Sequence, residues 1–304
     1  MRLFDSCIGD HMTSHKLNIA HIVPDPHVRS STHGLYGYKE IIETVRWGLA
    51  DIGCNVTVSD NSLVSDRVNV ILGVQMLREP DLKRLPSNTI VYNFEQIRSL
   101  HSTELKPEIR FVADHFRIWE YSESNIESWK KIRPTSRVVH VPVGWAPILK
   151  RIEKRAPQDI DVLIYGLPGQ LRLEIFQELC DSGMKCLFVC GLYGKARDEL
   201  ISRAKLVLNL NLYNRSRIFE IVRVSYLLAN AKAVVADIHE GTFVEPDLEN
   251  AVAFARPEVI RQTCEHLLDD DQARSALENR GRETMERRHI SPILKTALEQ
   301  SGLG

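Results

Sequence analysis

The chain has 304 residues, which is room for two domains that each bury a full core. Its 43% hydrophobic and 26% charged content mark an ordinary soluble globular protein, and no apolar run approaches the ~20 residues that span a bilayer. The formal net charge of -1 gives the whole protein no electrostatic reason to bind nucleic acid or an anionic membrane.

The first 16 residues lack the apolar core of a signal peptide and include Gly-Asp-His-Met, so they read as a disordered or cloning-derived extension. Leu17 to Val23 is a short apolar run that stops at Pro24, a buried-strand pattern. A polar loop with Asp25, His27, His33, Gly34 and Gly37 follows. Lys39 to Ile52 then carries apolar residues at helical spacing (Ile41, Ile42, Val45, Leu49) and closes at Gly53. Strands are expected over Cys54–Val58, Val68–Leu72, Thr89–Tyr92 and Val138–Val143, with one short element inside Phe111–Trp119. The basic and polar stretch around Pro147 and Pro157 reads as a linker.

A second alternating series begins with strand Val162–Tyr165 and the loop Gly-Leu-Pro-Gly-Gln. Helix Leu171–Ser182, strand Cys186–Val189, a glycine turn and helix Ala196–Ala204 come next. Ala204 to Asp237 reads as strand, polar loop, amphipathic helix, tight turn and buried strand. Ala251–Ala255 is a last strand, and Pro257–Leu268 and Asp271–Arg288 look helical. Strands alternating with helices imply parallel sheets covered on both faces. The fold class is therefore α/β, with two facing Rossmann-like, doubly wound domains. The boundaries are an acceptor-side N-terminal domain at 17–147, a linker at 148–160 and a donor-side C-terminal domain at 161–288. A C-terminal helix at 289–304 is expected to pack back on the first domain.

The six cysteines are scattered with no Cys-x-x-Cys pair; Cys54, Cys186 and Cys190 lie in or beside apolar runs and read as reduced core residues in a cytoplasmic protein, and no metal site is expected. The loop after the 162–165 strand puts Gly166 and Gly169 where small residues let backbone amides approach a ligand, although taken alone it reads first as a plain strand-helix turn. It lacks the dinucleotide fingerprint and its acidic ribose partner, which disfavours a nicotinamide cofactor. Gly191, Tyr193 and Lys195 form a second glycine turn that reads either as a contact to a base or phosphate or as a solvated turn. Arg215, Arg217 and Glu220 cluster at a loop and first helical turn. Two guanidiniums near helix-terminus amides suit a diphosphate, and a carboxylate one turn on can accept from a ribose diol. The bland reading of that cluster is a surface Arg–Glu pair worth a few tenths of a kcal/mol.

Residues from about Val162 to Arg288 resemble the C-terminal domain of GT-B glycosyltransferases, especially bacterial group-1-like and spore-protein-like members. The matching pieces are Arg-Ile-Phe-Glu (Arg217 to Glu220), Ala-Lys-Ala-Val-Val-Ala-Asp (Ala231 to Asp237) and Glu-Asn-Ala-Val-Ala-Phe (Glu249 to Phe254). Pro257, the Leu-Leu-Asp-Asp-Asp run at Leu267 to Asp271, and Arg274 complete the tail. The first half resembles the family only in architecture. The resemblance implies a transferase whose C-terminal domain binds a nucleotide-diphosphate sugar, a UDP-sugar first of all, with no metal and with Glu220 on the ribose. Many retaining members carry a second glutamate at the position occupied here by Leu212, so the stereochemical outcome stays open.

The N-terminal half should hold the acceptor and a general base for its hydroxyl. Glu95, in Asn93-Phe94-Glu95-Gln96 directly after a strand, is the first candidate, and His33 the second. Trp119, Tyr121 and Trp145 serve either to stack on a sugar or to fill a core. The expected acceptor is a glycan, small molecule or other hydroxyl compound, with a nucleic-acid acceptor disfavoured by the charge. A non-hydrolysing nucleotide-sugar epimerase and a non-catalytic binding protein of the same fold are the alternatives.

Overall fold

The computed structural model describes residues 15–23, 37–97, 107–212 and 217–303. The first domain contains β1 (Lys16–His21), α1 (Lys39–Asp51), β2 (Asn55–Asp60), β3 (Val68–Leu72), α2 (Glu79–Leu82) and β4 (Ile90–Asn93). It continues with α3 (Pro107–His115), β5 (Arg117–Glu120), α4 (Glu123–Ile132) and β6 (Arg137–His140). Its six-stranded sheet has the order β2-β1-β3-β4-β5-β6, and every pair is parallel. The second domain contains β7 (Ile160–Tyr165), α5 (Gln170–Asp181), β8 (Cys186–Val189), α6 (Gly194–Arg203) and β9 (Ala204–Asn209). After it come α7 (Ile221–Ala229), β10 (Ala233–Asp237), β11 (Ala253–Ala255), α8 (Ile260–Asp269), α9 (Asp271–Arg287) and α10 (Ile290–Gln300). Its five parallel strands run β11-β10-β9-β7-β8.

The central strands are buried on both faces, which is why they read as continuous apolar runs. Phe111 to Trp119 proves to hold two elements, the end of α3 and most of β5, because the helix stops at His115 and the strand starts two residues later. The strand expected to reach Val143 leaves the sheet after His140, two residues before Pro142. The helix expected to begin around Arg217 starts only at Ile221. The segment before it forms an isolated bridge between Ile218 and Phe243.

Chain crossing between the domains occurs twice. Residues 145–160 lead out of the first domain, and after α9 the chain returns past Trp145, whose backbone N–H donates to Arg288 O at 2.7 Å and whose carbonyl accepts from Ile290 N at 2.9 Å. Helix α10 then lies on α1. Gly48 makes that approach possible: a Cβ there would sit 2.6 Å from Ile290 Cγ2 and 2.9 Å from Leu294 Cδ1. Trp119 is fully buried and donates from its indole to Ser301 Oγ at 2.9 Å, so it is a core residue that anchors the C-terminal helix.

Candidate functional site: a cleft at the carboxyl ends of both sheets

Parallel strands deliver their following loops to one edge of a sheet, and here both edges face the same cavity of about 410 Å³. Ile22, Tyr38, Gln75, Met76, Phe94, Glu95, Gln96 and Tyr121 line its N-terminal wall. Tyr165, Gly166, Leu167, Arg172, Gly191, Tyr193, Arg197, Leu212, Glu220, Arg223 and Tyr226 line the C-terminal wall.

Two guanidiniums meet on the C-terminal wall at Gly166. That glycine has φ +132, and a Cβ on it would stand 3.0 Å from Arg172 Nη1 and 3.5 Å from Arg223 Nη2. Arg172, in the first turn of α5, is buried and donates to Leu210 O at 3.0 Å and Leu167 O at 2.7 Å. Burial first, and then the Arg223 charge, lower its pKa to about 10, so it stays a cation at neutral pH. Arg223 donates to Asn209 Oδ1 at 3.3 Å and lies 5.7 Å from the centre of the Tyr165 ring. Among the described residues, no carboxylate lies within ion-pairing distance of either guanidinium. Two adjacent cations with no direct ion-pair partner, Arg172 feeling Glu220 and Asp237 only at longer range, form beside a glycine turn a site for an anion with several oxygens.

Arg197, on α6, is differently engaged. It donates to Glu40 of the first domain at 2.7 Å and to its neighbour Asp198 at 2.9 Å, with its guanidinium 4.8 Å from the Tyr226 ring centre. Arg151 also lies over that ring (5.1 Å), donates to its hydroxyl at 2.9 Å, and pairs with Glu43 at 2.7 Å. The floor of the cleft is thus an ionic seam between the domains.

On the N-terminal wall, Tyr38 donates to Glu95 Oε1 at 2.6 Å, and Gln75 Nε2 donates to the same oxygen at 3.1 Å. Glu95 is open to the cleft yet has protein around its other sides. That partial burial raises its carboxyl above the ordinary value, the Tyr38 hydrogen bond opposes the rise, and the Glu220 charge adds to it. Next in the chain, Gln96 crosses the cleft: its Oε1 accepts from Arg217 N at 3.0 Å and its Nε2 donates to Ile218 O at 3.2 Å. The Asn93–Gln96 and Arg217–Glu220 segments singled out from sequence are therefore hydrogen-bonded partners. Glu220 is the N-cap residue of α7.

Gly166, Gly191, Tyr193, Glu220 and Glu95 are brought together in one cavity, whereas Gly169, Lys195 and Arg217 do not line it. Gly169 precedes α5, where a Cβ would stand 3.0 Å from Leu212 Cδ1. Lys195 and Arg217 are exposed. Asp25, His27, His33, Gly34 and Arg215 lie outside the described residues. Tyr121 is buried yet contributes to the N-terminal wall, and Trp145 packs 5.7 Å from His289 away from the cavity. Among the described residues, no group of three or more His, Cys, Asp or Glu side chains is placed to hold a metal ion, and no helix is long and apolar enough to cross a membrane. Arg172, Arg197 and Arg223 were passed over in the sequence because helix-borne arginines look like surface charge. The available signal was position: Arg172 is the third residue of the helix after the glycine loop, and Arg223 follows Glu220 by three, on the same helical face.

No family model and no curated protein matches the chain by sequence. Solved structures do match over nearly the whole length, glycosyltransferases among them. The chain is similar to AviGT4, a glycosyltransferase involved in avilamycin A biosynthesis, at 14% identity over 95% of this chain and 97% of that one, with a TM-score of 0.60. It is similar to Anabaena HepE in complex with UDP and glucose (10% identity, 93% and 99% covered, TM-score 0.62). An alpha-glucosyltransferase in complex with UDP and a 13-mer DNA containing an HMU base matches at 10% identity over 95% and 100%, with a TM-score of 0.58. The chain has the GT-B fold, with two Rossmann-like domains facing one another.

Proposed function

We propose that the protein is a glycosyltransferase that moves a sugar from a nucleoside-diphosphate sugar to an acceptor hydroxyl. The observation that carries this reading is the pair of guanidiniums outside any direct ion pair, Arg172 and Arg223, meeting at Gly166 across the cavity from Glu95. Arg172 and Arg223 hold the donor diphosphate. As the bond from sugar to phosphate breaks, negative charge grows on the leaving diphosphate, and fixed cations in a concave site stabilise that charge more than the ground state. Glu220 faces the same wall and takes the ribose hydroxyls, as the family resemblance implies. UDP is the first nucleotide to test, because HepE and the alpha-glucosyltransferase were each solved with it.

Glu95 takes the proton of the acceptor hydroxyl. A carboxyl raised above its ordinary range is a better base at neutral pH than an unperturbed one, since its proton affinity lies closer to that of the medium. Tyr38 and Gln75 hold one of its oxygens, leaving the other to meet the acceptor.

Thermal unfolding in the presence of UDP, UMP and no ligand tests the donor site. A ligand that binds only the folded state stabilises it by about 2.7 kcal/mol at a hundred times its Kd. UDP is expected to raise the midpoint well above UMP at equal concentration, because only the diphosphate spans both guanidiniums. Equal shifts for the two nucleotides, or none, would overturn the assignment.

A further inference from the structure

The loop that presents Glu95 is held from behind by a carboxylate that no sequence pattern singles out. Glu120, the last residue of β5, is 0% exposed. Four donors converge on it. Asn93 Nδ2 and Trp129 Nε1 donate to Oε2, both at 2.7 Å, while Asn125 Nδ2 (2.9 Å) and the Ser122 backbone N–H (3.1 Å) donate to Oε1. The same two asparagine amides donate onward to the Glu95 carbonyl, at 2.7 Å from Asn93 and 2.9 Å from Asn125. Their oxygens are engaged as well: Asn125 Oδ1 accepts from Ile97 N at 2.9 Å, and Asn93 Oδ1 from Glu95 N at 3.3 Å.

We infer that Glu120 is the positioning residue of the Glu95 loop: by accepting from Asn93 and Asn125 it fixes the orientation of both amides, and through them the backbone from which Glu95 enters the cleft. The inference rests on the reading of Glu95 as the group that meets the acceptor.

The polarity of the network explains why a carboxylate is needed. All four groups aimed at Glu120 are donors, so the network favours the ionised carboxylate, whose two oxygens carry no hydrogen. An amide in its place keeps one oxygen and turns an NH2 group toward two donors. Rotating Asn93 or Asn125 to suit that NH2 group would aim an amide oxygen at it, but would turn an NH2 group toward the Glu95 or Ile97 N–H and strip a donor from the Glu95 carbonyl. The disturbance therefore travels along two hydrogen bonds to Glu95. Stability alone does not call for this arrangement, since a buried carboxylate is costly and well-packed apolar residues commonly match such a network. Burial pushes the Glu120 carboxyl up to about 7 against the pull of its four hydrogen bonds. The network is therefore held at a cost, and what it fixes is the loop beside the cleft.

The test follows the titration of the Glu95 side-chain carboxyl by carbon-13 NMR, assigned by its disappearance in Glu95→Gln. In Glu120→Gln the Glu95 midpoint is expected to move up by about half a pH unit or more, as the Tyr38 hydrogen bond that favours the ionised form loses its alignment. Glu120→Asp, which restores the charge, should bring the midpoint back toward the wild-type value. UDP affinity, which reports the other domain, should stay within about twofold in both variants. Should Glu120→Gln not fold, Asn125→Ala removes one arm of the same network and is expected to move the midpoint in the same direction. A Glu95 midpoint that is unchanged or lowered in a folded variant overturns the inference. Full activity of Glu95→Gln would remove Glu95 from the chemistry, and the titration would still decide what Glu120 does.

Discussion

The two walls of the cleft are built alike and charged oppositely. Each consists of loops following parallel strands and the first turns of the succeeding helices. The C-terminal wall gathers Arg172, Arg197 and Arg223 around glycine turns. The N-terminal wall presents Glu95 among Tyr38, Phe94 and Tyr121, whose rings pack at 5.7 and 5.9 Å between centroids. Among the described residues, the walls touch through opposite charges at the floor, where Arg197 meets Glu40. One architecture thus serves two tasks: the side with spare cations suits a diphosphate, and the side with a partly desolvated carboxylate suits proton removal from a hydroxyl. What separates the roles is the charge left uncompensated on each wall.

Four substitutions sharpen or break this contrast. Glu95→Gln should lower turnover of a competent donor and acceptor pair by about 10²–10⁴-fold while leaving UDP affinity within about twofold, and calorimetry beside a UDP-release assay reads both. If the variant keeps full turnover, the N-terminal wall loses its assigned base. Gly166→Ala acts on the opposite wall. A backbone at φ +132 resists any side chain, and the new Cβ crowds both guanidiniums, so about 1–3 kcal/mol of stability and much of the UDP affinity should go together. Gly48→Val drives Ile290 and Leu294 away from α1, costing about 1–3 kcal/mol in denaturant unfolding, yet leaves UDP affinity unchanged because α10 is remote from the donor wall.

The smallest effect concerns pH. Deprotonated Glu95 is the active form, so turnover falls as pH drops through its raised pKa. Tyr38→Phe removes the hydrogen bond that favours the ionised carboxylate, so the acid limb of the pH–rate profile should move to higher pH. A limb that stays in place or moves lower would show that Tyr38 does not tune Glu95.

Strand runs such as Val68–Leu72 and Cys186–Val189 stand in the structure with the bounds that apolar patterning gives, because short runs that are mostly apolar mark them off from the polar segments on either side. The same patterning fails where local chemistry decides. The start of α7 at Ile221 depends on the bridge between Ile218 and Phe243, a contact between positions 25 residues apart in sequence. Glu95 was legible because it follows a strand directly, and Glu220 because its helix begins there. Arg172 and Arg223 were not, since their role arises only when two separate helices bring them together at Gly166. Glu120 was less legible still: a glutamate ending an apolar strand looks like a boundary, and its four donors come from positions 93, 122, 125 and 129.

The central claim is that the donor diphosphate rests on the guanidiniums that meet at Gly166. Titration calorimetry of UDP into Arg223→Ala and Arg217→Ala tests it most directly. Losing charge-assisted hydrogen bonds costs about 1.5–3 kcal/mol, so Arg223→Ala should bind UDP roughly 10–150-fold more weakly. Arg217→Ala, which loses an exposed side chain outside the cavity, should bind within about twofold of wild type. Undiminished affinity in Arg223→Ala, with the loss appearing in Arg217→Ala, would contradict the account.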